Sequence, residues 1–103
     1  MKIKTKYPTA KSAEELAELL GLSKEDAVEF ELRSELNRKI IDVVKKRKLT
    51  HAALAERAGT SRTRVTALLN GNSKNVSTSL MIRILASLGV RAKLSYSAIK
   101  LAA

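Results

Sequence analysis

The sequence predicts a small all-α domain of five helices that is followed by one C-terminal β-strand. Apolar residues recur every three or four positions over most of the chain, which is the spacing of helices that bury one face. A serine or threonine precedes each of these stretches, and a glycine or a run of cations follows it, as in helix caps. After Gly89 the apolar spacing falls to two, which is typical of a half-buried strand.

These spacings divide the chain into three parts. Residues 1–11 alternate lysine with larger residues, which predicts an extended N-terminal arm. Residues 12–89 form the helical domain, and residues 90–103 form the strand and a tail that we expect to mediate dimerisation.

Two helices are predicted at the start of the domain, over residues 12–21 and 23–48. Ser12 and Glu15 have the spacing of a capping box, in which each side chain satisfies a free backbone donor of the other residue. The second helix is long and carries an apolar residue at every fourth position: Val28, Leu32, Leu36, Ile40 and Val44. It ends in the cations 45–48, which either are solvated or contact phosphate.

Three shorter helices follow over residues 50–59, 61–71 and 77–89. Each begins at a hydroxyl residue, which for the last helix is Ser77 or Thr78, and each ends at a glycine. The last helix has an inward-facing stripe of four residues: Met81, Ile84, Leu85 and Leu88.

Residues 50–71 carry the pattern that indicates function. Two short helices are joined by a turn with Gly59 at the position that needs a left-handed backbone. Ala55 is small enough to sit where the helices cross, and Val65 is placed to pack beneath it. This pattern predicts a helix-turn-helix, whose second helix lies in the major groove of double-stranded DNA.

The segment resembles the lambda-repressor-like (XRE/Cro) helix-turn-helix family over about residues 36–90. The family pattern is Thr-Gln, two residues, Leu-Ala, three residues, Gly, then Ser, three residues, Ile or Val, and later Asn-Gly. Every place is met here except the glutamine, where this chain has His51. The preceding stretch 26–36 resembles the HigA-like antitoxins of that family. The resemblance therefore implies a five-helix DNA-binding fold and a cognate toxin as partner.

The matched family positions assign the side chains that read base edges: Arg62, Thr63, Arg64 and Thr66. Arginine can donate two hydrogen bonds to a guanine, and threonine can bond a base or touch a thymine methyl. We expect Arg62 to contact a base within a guanine-containing half-site, and Arg64 to contact a base or a phosphate. Both arginines could instead be solvated surface residues. Ala67 departs from the longer polar residue of many relatives and leaves a gap in the reading face.

Phosphate contacts are expected at the N-termini of the two motif helices, where backbone N–H groups point outward. The candidate side chains are Thr50, His51, Ser61, Asn70, Lys74 and Asn75. As the sole histidine of the chain, His51 lacks the partners of a metal ligand or a catalytic base. It is either a phosphate contact or an inert, exposed surface residue.

The charge is distributed unevenly along the chain. The net charge is +10, yet residues 1–35 hold six Lys or Arg against eight Asp or Glu, and residues 36–103 hold fourteen against two. Such a basic region predicts a surface that binds a polyanion. Basicity alone does not separate DNA from RNA or acidic lipid.

A homodimer is expected because one helix-turn-helix buries too little surface for tight binding, so that such proteins pair over a palindromic operator. The predicted strand lacks an obvious partner within one helical chain, and a lone strand is unstable. Pairing with its copy in a second chain would bury the residues assigned to dimerisation: Val90, Ala92, Leu94 and Tyr96. The competing partner for this strand is the N-terminal arm, in which Ile3, Thr5 and Tyr7 also alternate.

Several function classes are disfavoured. The chain has no cysteine and shows no grouping of nucleophile, base and metal ligands, so we expect no enzyme, no metal and no cofactor. It has no apolar run of membrane-spanning length and no apolar leader, so we expect a cytoplasmic protein that meets no membrane.

Three functions remain: a repressor of its own promoter, an antitoxin that also autoregulates its operon, and a non-specific architectural DNA-binding protein. We expect a sequence-specific repressor that serves as an antitoxin. A stand-alone regulator of the same family is the alternative. The acidic front half would suit a basic toxin or form an ordinary solvated helix face, and its residues are Glu14, Glu15, Glu18, Glu25, Glu29 and Glu31.

Overall fold

A computed structural model describes residues 18–21 and 23–99 of the chain. Four helices lie wholly within them: α1 (Lys24–Arg47), α2 (His51–Ala58), α3 (Arg62–Leu69) and α4 (Thr78–Ser87). Residues 18–20 are helical as well and are followed by a turn, which agrees with the predicted end of the first helix. The N-terminal arm and the capping box at Ser12 lie outside the described residues.

Each of the four helices begins at a hydroxyl side chain that accepts a backbone hydrogen bond from three residues further along. The bonds to the Oγ atoms of Ser23, Thr50, Ser61 and Ser77 measure 3.1, 3.1, 3.2 and 3.0 Å. A helix leaves its first N–H groups without partners, and these side chains satisfy one of them in each helix. The predicted starts are therefore confirmed, and for α4 the cap is Ser77 and not Thr78.

The core lies where the four helices meet. The α4 stripe predicted from the sequence is fully part of it, and α2 and α3 each contribute two residues. The buried set is Leu36, Ile40, Val43, Val44, Leu54, Ala55, Val65, Leu68, Val76, Met81, Ile84, Leu85 and Leu88.

The apolar face predicted along α1 is only partly buried. Leu36, Ile40 and Val44 lie in the core, whereas Val28 and Leu32 remain 46% and 39% exposed. The core cluster contains no residue of α1 before Leu36, and within residues 24–35 only Ala27 is buried, at 3% exposure, outside that cluster. The first half of this apolar face is therefore left exposed in the single chain.

Two arginines of α1 bind the two ends of α4. The Arg33 guanidinium donates hydrogen bonds to the carbonyl of Ser73 (2.6 Å), the carbonyl of Val76 and Oγ1 of Thr78 (2.9 Å). Arg47 donates to the Leu88 carbonyl at 2.6 Å. Arg33 binds the start of α4 and Arg47 binds its end, so α1 and α4 run side by side in the same direction.

The C-terminal strand predicted over residues 90–97 is not formed in the single chain. Val90 is half-buried against the core, and its N–H donates to the Leu85 carbonyl at 2.9 Å. Residues 91–99 are all exposed and adopt neither helix nor strand. Strand structure needs a second strand to complete the hydrogen-bond ladder, and the described part of the chain supplies none.

We expect Arg33→Met to lower the free energy of unfolding by about 1–3 kcal/mol, because it keeps the aliphatic stem but leaves two carbonyls without their charged donor. Urea denaturation followed by circular dichroism measures this change. Arg57→Met is the matched control, since Arg57 is exposed and makes no hydrogen bond with any described residue. Equal stability of the two variants would contradict the assigned role of Arg33.

Candidate nucleic-acid interface

The turn between α2 and α3 fixes how the second helix is presented. Gly59 has a φ of +67°, a left-handed conformation that costs glycine little, and the Thr60 N–H then donates to the Ala55 carbonyl at 3.0 Å. Ala55 and Val65 are both buried in the core, as the motif predicts. The turn and this packing hold α3 against α2 with its opposite side exposed.

The first turn of α3 forms the exposed face of the motif. Arg62, Thr63 and Arg64 are exposed there, while Val65 and Leu68 of the same helix are fully buried. An amphipathic helix with a short buried stripe presents its remaining side chains to a partner.

The predicted base readers do not all lie together. Arg62, Thr63, Thr66 and Ala67 line one shallow depression of about 440 Å³, and Arg64 is not among its lining residues. Ala67 forms part of this surface as the small residue that the sequence indicates. The geometry thus groups Arg62 with both threonines and sets Arg64 apart.

A hydrogen bond that the sequence does not reveal joins the two motif helices. Nδ1 of His51, the first residue of α2, lies 2.8 Å from Oγ1 of Thr66 on α3. His51 is half-buried, so the expectation that its side chain is exposed is wrong. Thr66 is a predicted base reader, and this bond occupies one of the hydrogen-bonding positions of its hydroxyl.

The predicted phosphate contacts fall into two kinds. The hydroxyls of Thr50 and Ser61 accept capping bonds and keep their O–H groups as donors, next to the free N–H groups at the start of each helix. Asn70, Lys74 and Asn75 are exposed side chains beyond the end of α3.

The loop between α3 and α4 is held in place at two points. Val76 inserts into the core with 2% exposure, and Arg33 binds the Ser73 and Val76 carbonyls on either side of Lys74 and Asn75. Sequence reasoning did not find this role of Arg33, because a single arginine within an acidic helix gives no local signal of a contact 40 residues away.

The charge on the motif is available to an anion. Arg57, Arg62 and Arg64 are exposed, and none of them forms an ion pair with a residue that the structure describes. The first turns of α2 and α3 contain no acidic residue, so nothing there opposes the positive end of each helix dipole.

A family model described as a helix-turn-helix domain matches residues 15–97. The chain belongs to the helix-turn-helix domain family. This membership agrees with the α2–turn–α3 geometry and identifies the chain as a DNA-binding regulator of mostly helical fold. No curated protein and no solved structure matches the chain. Across the described helices, none is long and apolar enough to cross a bilayer.

We expect the His51–Thr66 bond to appear as a coupling free energy in a double-mutant cycle. The variants are His51→Ala, Thr66→Val and the double variant, and denaturant unfolding without DNA should give about 0.5–1.5 kcal/mol of coupling. The same cycle between His51 and the exposed Thr63 is the control and should be additive. Additivity in both cycles would contradict the bond.

Proposed function

We propose that this helix-turn-helix protein is a sequence-specific DNA-binding repressor that inserts the first turn of α3 into the major groove. The observation that carries the proposal is the exposed, cationic start of α3, which is grouped with two threonines on one face and supported by a buried face behind it. Docking of this kind places N-terminal residues of the second motif helix on base edges.

Within this proposal Arg62 is the principal base reader. Its position in the shared depression favours a bidentate contact with guanine, whereas Arg64, outside the depression, is better placed for a phosphate or a flanking base. Thr63 and Thr66 complete the reading face. Because Oγ1 of Thr66 is bound to His51, a thymine methyl is the contact that suits the Thr66 methyl best.

His51 acts in this proposal as a phosphate ligand held in position by Thr66. Its Nδ1 is engaged with Thr66, which leaves Nε2 as the remaining ring nitrogen for a phosphate oxygen. The free N–H groups at the start of α2 lie next to it and favour an anion. Thr50, Ser61, Asn70, Lys74 and Asn75 supply the other predicted backbone contacts.

We expect Arg62→Ala to weaken operator binding by about 1–3 kcal/mol and to relax the preference at one base pair of each half-site. Arg83→Ala is the matched control, because Arg83 is an exposed cation of α4 outside the motif. The control should weaken binding to all sequences by a similar small factor and reduce the salt dependence. Binding to operator and random duplexes, measured at several salt concentrations, separates the two effects.

A non-specific architectural protein would show the opposite ranking. In that case Arg62→Ala and Arg83→Ala would cost the same affinity, and operator and random DNA would bind alike. That result would overturn the proposed sequence specificity.

An antitoxin of the XRE type is the second candidate function, and α1 carries the observation that favours it. Residues 24–35 hold five carboxylates and two cations, and they also expose three apolar side chains. These are Val28, Phe30 and Leu32, which are between 39% and 47% exposed. Val28 and Leu32 lie four residues apart on one side of α1 and form a small apolar patch flanked by carboxylates, which fits a basic protein partner such as a toxin that cuts RNA.

We expect a co-transcribed neighbouring gene to encode a small basic protein that arrests growth and that this chain neutralises. Glu29→Lys combined with Glu31→Lys should abolish neutralisation, because it reverses the charge beside the apolar patch, and should leave operator binding intact. Glu56→Lys, on α2, is the control and should still neutralise. Neutralisation by the double variant would count against docking on the acidic half of α1.

A further inference from the structure

The proposed DNA contacts use neither the C-terminal segment nor the groove beside it. Residues 91–99 are exposed, and among the described residues they make no backbone hydrogen bond. Leu94 is 68% exposed and Tyr96 is 90% exposed, although both are large apolar side chains. A row of free N–H and C=O groups next to such side chains is the edge that an added strand requires.

The groove lies between α1, α4 and residues 90–95 and has a volume of about 670 Å³. Apolar side chains form much of its lining, and they are Leu32, Leu36, Ile82, Leu85, Val90 and Leu94. Leu32 and Ile82 are also 39% and 44% exposed, so the groove is open at the surface.

We propose that this groove seats residues 90–98 of a second copy, paired antiparallel with the same residues of the first copy about Leu94. The proposal rests on the DNA-binding repressor proposed above and deepens it by naming the surface and the register of the homodimer that the sequence leads us to expect. The two-fold axis would pass between the two Leu94 residues, which gives the isologous contact that a palindromic operator requires.

The alternation of side chains restricts the possible registers. Even-numbered residues from Val90 to Ala98 are apolar, and odd-numbered residues from Arg91 to Ser97 are polar. Directly opposed residues of an antiparallel pair share one face, so only a register centred on a residue keeps apolar opposite apolar.

Charge then favours a centre at Leu94 over a centre at either neighbouring residue, Lys93 or Ser95. A centre at Lys93 would place two lysines opposite each other, which is unfavourable. A centre at Ser95 would place Arg91 opposite Ile99 and Val90 opposite Lys100, so that cations face apolar side chains. The centre at Leu94 instead faces Lys93 with Ser95 and Arg91 with Ser97.

In this register the second copy covers the apolar residues that the single chain leaves exposed. Tyr96 of each copy lies beside Ala92 of the other, and the two Leu94 side chains meet next to Leu32 and Ile82. Burial of these side chains supplies the hydrophobic contribution that the isolated segment lacks.

The N-terminal arm fits this groove less well than a second copy does. The groove rim carries four cations and two carboxylates, which are Arg38, Lys39, Arg91 and Lys93 against Glu35 and Asp42. The arm carries lysines at positions 2, 4, 6 and 11, and the first carboxylate of the chain is Glu14. Like charges therefore oppose its entry. Residues 90–98 of a second copy also carry two cations, Arg91 and Lys93, but the Leu94 register places each of them opposite a serine.

The test is a scan of single cysteines, which is clean because the chain has none of its own. Under mild oxidation Leu94→Cys should form disulfide-linked dimers. Lys93→Cys and Ser95→Cys should each stay monomeric on non-reducing gels, because diagonal pairs lie about 7–8 Å apart and a disulfide spans less than about 7 Å. An equal mixture of the latter two variants should cross-link, since these positions face each other.

The outcomes separate this inference from the proposed function. Cross-linking of Lys93→Cys or Ser95→Cys alone would overturn the Leu94 register. Wild-type dimers in sedimentation without any cross-link in the scan, or wild-type dimers that persist after deletion of residues 91–103, would overturn the groove as the seat. Wild-type monomers at all concentrations would overturn the dimer itself, while the Arg62 experiment still tests DNA reading.

Discussion

The position of α1 against α4 is the constraint on which the rest of the structure depends. Arg33 and Arg47 bind backbone carbonyls at the two ends of α4, and the buried faces of both helices pack between these contacts. A guanidinium presents several donors in a fixed plane, so one side chain can satisfy more than one carbonyl. With both ends of α4 held, α2 and α3 have one firm surface to pack against.

The Arg33 contacts also matter for the recognition helix α3, because they hold the loop that joins α3 to α4. Arg33 fixes the carbonyls of Ser73 and Val76, and this loop begins where α3 ends. The start of α3 follows the Gly59 turn, and the bond between His51 and Thr66 holds the second turn of α3 against α2. Both ends of the reading helix are thus held by contacts outside it, which suits a helix whose exposed side chains must meet bases in one register.

Sequence reasoning succeeded where the determinants are local. The caps at Thr50 and Ser61 and the turn at Gly59 depend on a few neighbouring residues, and the structure has them as predicted. It missed the roles of Arg33 and His51, because those bonds join residues 40 and 15 positions apart and require the helix arrangement to be known. The period of α1 indicated which face is apolar, but it could not show that the core ends at Leu36.

Exposed apolar residues lie both on the first half of α1 and in the C-terminal segment, and both sets have the same cause. The core of a chain this short covers only the second half of α1, so apolar residues are left over at the first half and beyond α4. The apolar residues beyond α4 alternate with polar ones along a segment whose backbone groups are free, and this arrangement favours pairing with a second strand. Those on the first half of α1 lie among carboxylates on a regular helix, whose backbone is already bonded, which favours side-chain contacts with a different, basic protein. The backbone therefore distinguishes the two surfaces, although Leu32 belongs to both of them.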